Sequence, residues 1–188
     1  MSQVTISGNA GGTGIFTIAS PATNTNRTLT LPDNTGTFLT TGTAGVPVNG
    51  PAFSAYAGSA TSLSNAVATK VLFNTKEFDT NTNYDASLSR FTPTVAGYYQ
   101  VTSSINTAAY ISINANLAVY KNGLQNKVGI QGGNSGNAAG LSVSALVYMN
   151  GSTDYLEIYA YHASGGAVNT TPAQAFTYFQ ASLARSAT

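Results

Sequence analysis

The stretch NYDASLSRFTPTVAGYYQV (Asn83–Val101) holds most of the information that decides the fold. It contains almost no charge, yet it sets Phe91, Pro93, Gly97 and Tyr98 at short, definite intervals behind a Tyr84-Asp85 pair. Pro93 fixes its own φ and has no amide donor, so it belongs in a turn or at a strand edge. Gly97 marks a position where the backbone conformation, or another segment passing close by, leaves no room for a side chain. A strand then starts in GYYQVTSSI, and successive residues of a strand point to opposite faces. With Tyr99 and Val101 directed to a core, Tyr98 and Gln100 point outward. An exposed aromatic ring there is best explained by a neighbouring subunit.

Similar signals run along the chain in both directions. VTIS, GIFTIAS, RTLTLP, KVLFNTKEF, ISINANLAVYKNG, LSVSALVYMNG, DYLEIYAYHA and AFTYFQASLARS are rich in β-branched and aromatic residues and alternate apolar with polar positions. Asn122-Gly123, Asn150-Gly151 and Gly165-Gly166 punctuate them as turns. GSATSLSNAVAT, residues 58–69, has no clear period, and its Ser, Thr and Gly content argues against a helix. The pattern predicts an all-β protein whose antiparallel strands form a sandwich. Gly and Pro cluster in TTGTAGVPVNGPAF, residues 40–53, and divide an N-terminal arm (1–45) from a compact head (46–188). The arm is too small to bury a core alone. Its alternating Thr28, Leu29, Thr30 and Leu31 suit a strand that partners put in order.

Composition removes several classes of function. Of 188 residues only 7 are Lys or Arg and 6 are Asp or Glu, so no strong field of either sign gathers nucleic acid or acidic lipid. Charged residues make up 7%, against roughly 25% in an average domain. A polar, uncharged surface of this kind is common where chains pack on copies of themselves or on a large assembly. With no cysteine, thiol catalysis, thiolate metal sites and disulfides are excluded together. No apolar run reaches the length of a membrane helix, and the N-terminus shows no secretory pattern.

The order of motifs in the head resembles the C1q and tumour-necrosis-factor-like family of jelly-roll trimers. The blocks that carry the likeness are PAFSAY (from Pro51), KVLFNTKEFDTNTNYD, FTPTVAGYYQV, NLAVYKNG, LVYMNGSTDYLEIYAY and the closing TYFQASLARS. Phe91-Thr92-Pro93 is one residue shorter than the family's usual spacing. The resemblance implies an antiparallel jelly-roll sandwich and a homotrimer. Tyr98, with Phe176 and Tyr178 of the final aromatic strand, is then expected at the trimer interface.

The arm segment GTGIFTIASPATNTNRTLTLPDNTGTFLTT is similar to a short module of bacteriophage structural proteins, centred on Asn-Arg-Thr-Leu-Thr-Leu-Pro-Asp. Arm and head together imply a non-enzymatic virion protein, assembled in the host cytoplasm and displayed on the virion surface. Arg27, Leu29 and Leu31 then dock on other virion proteins, the major capsid protein first among them. Capsid decoration or cementing as a head fibre is the expected role. The alternative is a short tail fibre or receptor-binding tip that recognises a host surface glycan or protein. For that role the outer loop GIQGGNSGNAAG offers Gln131, Asn134 and Asn137.

Chemistry finds little support. Asp79, Asn81, Asn83 and Asp85 recur at every second position, as oxygen ligands do at the start of a calcium loop. However, the sixth position is Tyr84 instead of Gly and the twelfth is Arg90 instead of Glu. Calcium is therefore a secondary expectation, and a polar loop with no cofactor the primary one. Glycoside cleavage needs two facing carboxylates. Asp154 and Glu157 lie an odd number of residues apart, which on a strand sends them to opposite faces. His162, the only histidine, has no nucleophile elbow beside it and reads as a strand-end residue. Gly129–Gly140 lacks the Gly-Lys-Ser/Thr ending of a phosphate cradle. No catalytic residue and no nucleic-acid partner is expected.

Overall fold

A computed structural model describes residues 11–15, 17, 22–26, 28, 50–111, 114–130 and 140–187. The chain divides into two units, Met1–Thr37 and Phe38–Thr188. Within the first, the described residues are exposed and none lies in a strand, including Gly14, Ile15 and Thr17 of an expected strand. Arg27, Leu29 and Leu31 lie outside the described residues, as does the boundary cluster up to Asn49.

The second unit is all-β, with no helix among its described residues. Its strands are β1 (Ala52–Tyr56), β2 (Ser62–Leu63), β3 (Thr69–Lys70), β4 (Thr75–Asp79), β5 (Tyr84–Asp85), β6 (Arg90–Phe91), β7 (Ala96–Asn106), β8 (Ala115–Lys121), β9 (Leu124–Ile130), β10 (Gly140–Asn150), β11 (Leu156–His162), β12 (Val168–Asn169) and β13 (Tyr178–Ser186). They form two facing antiparallel sheets, one ordered β10-β7-β13-β1-β4 and the other β5-β6-β11-β8-β9, with β3 also on β11. Strands that follow one another in sequence repeatedly change sheets, as in a jelly roll. The expected all-β antiparallel jelly roll is the observed fold.

The opening stretch is explained by its place between the sheets. Tyr84, Phe91 and Tyr99 are all buried, and Phe53 stacks on both Tyr84 and Phe91 with ring centroids 4.5 Å apart. Phe179 meets Phe53 edge-on at 4.8 Å, so rings from both sheets interlock at one end of the core. Buried phenol hydroxyls need partners. Tyr84 donates to the Phe73 carbonyl at 2.7 Å and Tyr99 to the Val95 carbonyl at 2.8 Å. Burial pushes the Tyr99 phenol up to about 12, and that of Tyr84 higher still. Gly97 lies beneath β13: a Cβ there would stand 2.5 Å from the Arg185 carbonyl oxygen and 2.6 Å from Leu183 Cδ1. Its role is close approach.

Some strand boundaries differ from expectation. KVLFNTKEF is not one strand: β3 ends at Lys70 and β4 starts at Thr75. Between them Val71 and Phe73 are buried, with the Val71 amide bonded to the Ile158 carbonyl and the Phe73 amide to Ser89 Oγ. Residues 58–69 contribute the short β2, paired with β12 more than a hundred positions away. Asn122-Gly123 closes the β8–β9 hairpin with φ of 54° and 79°, the left-handed pair that a two-residue hairpin loop requires.

Candidate self-association face and polar clusters

Alternation along the long strands sorts their side chains cleanly. In β10, Leu141, Val143, Val147 and Met149 are buried against the core. The opposite face of β10 reads Ser142, Ser144, Leu146 and Tyr148, the last two 53% and 45% exposed. The register pairs Tyr148 with Tyr98 and Tyr98 with Arg185, so one side of the β10-β7-β13 ladder gathers these residues. Tyr98 is 43% exposed and its ring centroid lies 5.5 Å from that of Tyr148. Together with Leu146 and Arg185 they line an open depression of about 600 Å³. Tyr99 and Val101 are buried, as the alternation predicted, while Tyr98 and Gln100 are exposed.

Tyr178 stands on the same sheet face, half-buried at the far end of β13, beside Gln180, Glu77 and Ser54. Phe176, 53% exposed, belongs to the turn before β13 instead of to the strand itself. Sequence reasoning missed Leu146, Tyr148 and the 52%-exposed Phe78. The signal for Leu146 and Tyr148 was present: in LSVSALVYMN two large apolar residues share the period of two serines.

The polar residues considered for chemistry are occupied structurally. The Asp79 carboxylate accepts the backbone amides of Asn83 and Tyr84, each at 3.0 Å. Asn83 is buried, donating to the Asn81 carbonyl and bonding Thr94. Asn81 accepts from the Thr80 hydroxyl. Asp85 accepts from the hydroxyl and amide of Ser87 and the amide of Leu88, which hold its carboxyl below the usual range. The oxygens of the four side chains are thus taken by N–H and O–H donors on either side of β5. Among the described residues no three His, Cys, Asp or Glu side chains come together as metal ligands do.

Asp154 and Glu157 occupy separate clusters. Asp154 accepts from Lys121 Nζ and Asn122 Nδ2, both at 2.7 Å, and from the Asn150 amide at 2.9 Å. Burial alone raises its carboxyl, but these donors outweigh burial and lower it. Glu157, 3% exposed on the outer face of β11, receives Lys70 Nζ at 2.7 Å and Arg90 through Nη2 at 2.8 Å and Nε at 2.9 Å. Burial again works to raise the carboxyl, and the two cations bring it below the ordinary range. His162 is fully buried at the end of β11. Its Nε2–H donates to the Leu63 carbonyl at 3.0 Å, which leaves Nδ1 to accept from Ser164 Oγ at 3.1 Å. Both ring nitrogens are used, so this histidine ties β11 to β2. Gln131, Asn134 and Asn137 lie outside the described residues.

No family model and no curated protein matches this sequence. Solved structures do. The globular domain of zebrafish complement 1qA aligns at 16% identity with a TM-score of 0.55, over 74% of this chain and all of that one. Murine APRIL aligns at 10% identity with a TM-score of 0.57, over 72% of this chain and 99% of that one. Eiger TNF from S. frugiperda aligns at 8% identity with a TM-score of 0.54, over 74% and 95%. At these identities the likeness is one of fold, the C1q and TNF jelly roll.

Proposed function

We propose that this chain is a non-enzymatic structural protein of a bacteriophage particle, a homotrimer whose arm attaches to the particle and whose jelly-roll head is displayed outward, decorating or cementing the capsid. The observation that carries the self-association is the Tyr98, Leu146 and Tyr148 cluster. Three large apolar side chains about half exposed stand together at one end of a sheet face, next to Gln100, Thr102, Ser142 and Ser144. Clustered apolar exposure of this kind marks an interaction surface. A closed ring of three copies joins two different patches of each copy. The Tyr98 end of β7 and the Tyr178 end of β13 supply two distinct patches on one face. The trimeric habit implied by the C1q-like motif order agrees with this arrangement.

The virion role is supported by the phage-like arm sequence around Asn26–Asp33 and by a surface nearly without charge. A non-enzymatic role is supported by how Asp154, Glu157 and His162 are used, each holding strands and turns in place. Gold-labelled antibody against the head, applied to purified particles and viewed by electron microscopy, tests the location. Label over the capsid is the expected result, and label confined to the tail would replace decoration with host adsorption.

A further inference from the structure

The outer face of the second sheet carries an arrangement that neither self-association nor attachment uses. The β8–β11 ladder sets Asn116 opposite Tyr161, Ala118 opposite Tyr159 and Tyr120 opposite Glu157, all facing away from the core. Ala118, buried beneath its neighbours, forms the floor of a depression of about 200 Å³. Tyr120, Tyr159 and Tyr161 wall it, and Asn116 and Gln125 add two amides.

Two of the three rings are fixed before any ligand arrives. Tyr120 and Tyr159 stack with centroids 4.1 Å apart and planes 26° from parallel. The Tyr159 hydroxyl donates to Glu157 Oε2 at 3.4 Å, and Glu157 is clamped by Lys70 and Arg90. Arg90 in turn lies 3.9 Å above the Tyr155 ring. Side chains held this way lose little rotamer entropy on binding. The Asn116 and Gln125 amides, in contrast, have no hydrogen-bond partner among the described residues, leaving donors and an acceptor on each for a ligand.

We infer that this depression binds a neutral pyranose ring of a glycan. A pyranose offers an apolar face of C–H groups, which suits a tyrosine wall, and a rim of hydroxyls, each donor and acceptor, which suits carboxamides. No charged side chain lines the depression, and the nearby Lys70 and Arg90 are both bound to Glu157, so the lining offers an acidic ligand no direct ionic partner and suits a neutral one. Its volume is below the roughly 300 Å³ at which pockets for drug-sized ligands begin, consistent with one ring bound at a time. The inference requires neither the trimer nor the virion role, and it places any glycan contact on a sheet face instead of in the loop at residues 129–140.

The test is saturation-transfer difference NMR on the full chain, using the methyl glycosides of glucose, galactose, mannose and N-acetylglucosamine, with methyl glucuronate as an acidic comparison. At least one neutral glycoside should show saturable transfer, strongest at the C–H groups of one ring face. Tyr161→Ala and Gln125→Ala should each weaken it about tenfold or more, a loss of about 1.4 kcal/mol, with circular dichroism unchanged. Tyr161→Phe, which keeps the ring, should retain binding. Absence of saturable transfer from all four neutral probes, transfer that survives both alanine substitutions, or preferential binding of the glucuronate would each overturn the inference. So would a protein ligand that occupies this face and is not displaced by sugar.

Discussion

Replacing Gly97 by alanine puts one methyl group into a close crossing of β7 and β13 in the first sheet. The new Cβ would sit 2.5 Å from the Arg185 carbonyl oxygen, 2.6 Å from Leu183 Cδ1 and 3.0 Å from Ser186 Cα. Two of these three neighbours are backbone atoms of β13, and β13 is already bulged between Leu183 and Arg185. Leu183 could change rotamer, but the β13 backbone must move by several tenths of an ångström or more. Such a shift strains the β13–β7 pairing from Tyr98 to Gly97. Overpacking of this kind costs about 1–3 kcal/mol, and a weakened ladder bond adds about 1 kcal/mol. For a protein of this size each kcal/mol lowers Tm by about 2–4 °C, so a total of about 2–4 kcal/mol gives a fall of about 4–16 °C. Gly166→Ala is the control, because a Cβ there meets nothing within 4 Å. The assay is thermal unfolding by circular dichroism, with both variants and the parent at one chain concentration so that any change in association does not enter unequally. A Gly97→Ala protein that melts with the parent and with Gly166→Ala would refute the reading of Gly97 as a close-approach residue.

Glu157→Gln removes the anion between Lys70 and Arg90 while keeping the shape, and should cost about 1–2 kcal/mol, because both cations remain partly solvated. The Glu157 carboxyl is lowered from its ordinary value of 4.5, so its contribution is complete above that pH and is lost as pH falls through the lower folded value. Urea unfolding at pH 7 and at progressively lower pH should show the parent and Glu157→Gln converging in the acid range, and a constant gap would contradict the assignment. Tyr84 and Tyr99 resist ionisation because it would place a charge in the core. Ultraviolet titration of the 11 tyrosines should therefore show a delayed fraction that appears only as the fold opens, with stability falling as pH rises above the ordinary tyrosine value of 10.0. A single phase near 10 in the folded protein would count against that burial.

Much of the fold could be read where a residue's role is local. Alternation in GYYQV and LSVSALVYMN separates core from surface, and Asn122-Gly123 announces its hairpin without knowledge of distant segments. Pro93 and Gly97 were recognisable as constraints, although the β13 backbone that fills the space at Gly97 arrives from nearly ninety residues further on. Pairings such as β2 with β12, and the meeting of Lys70, Arg90 and Glu157, were not legible, because each is set by the topology of the whole sandwich. KVLFNTKEF misled for a related reason: Val71 and Phe73 are apolar because they plug the core beside β11, not because they continue a regular strand into β4. The oxygens of Asp79, Asn83 and Asp85 carry a metal-like spacing, but in the fold Asp79 closes the turn into β5, Asn83 accepts from Thr94 and Asp85 closes the turn between β5 and β6.

Sedimentation equilibrium of the full chain measures the proposed trimer of the head directly. The predicted mass is three times the 19.2 kDa chain, moving toward a single chain when Leu146→Asp and Tyr148→Ser are combined, because both positions lie on the solvent face and leave the core intact. A parent protein that sediments as a single chain, or a double variant that remains trimeric, would contradict the assignment of this face.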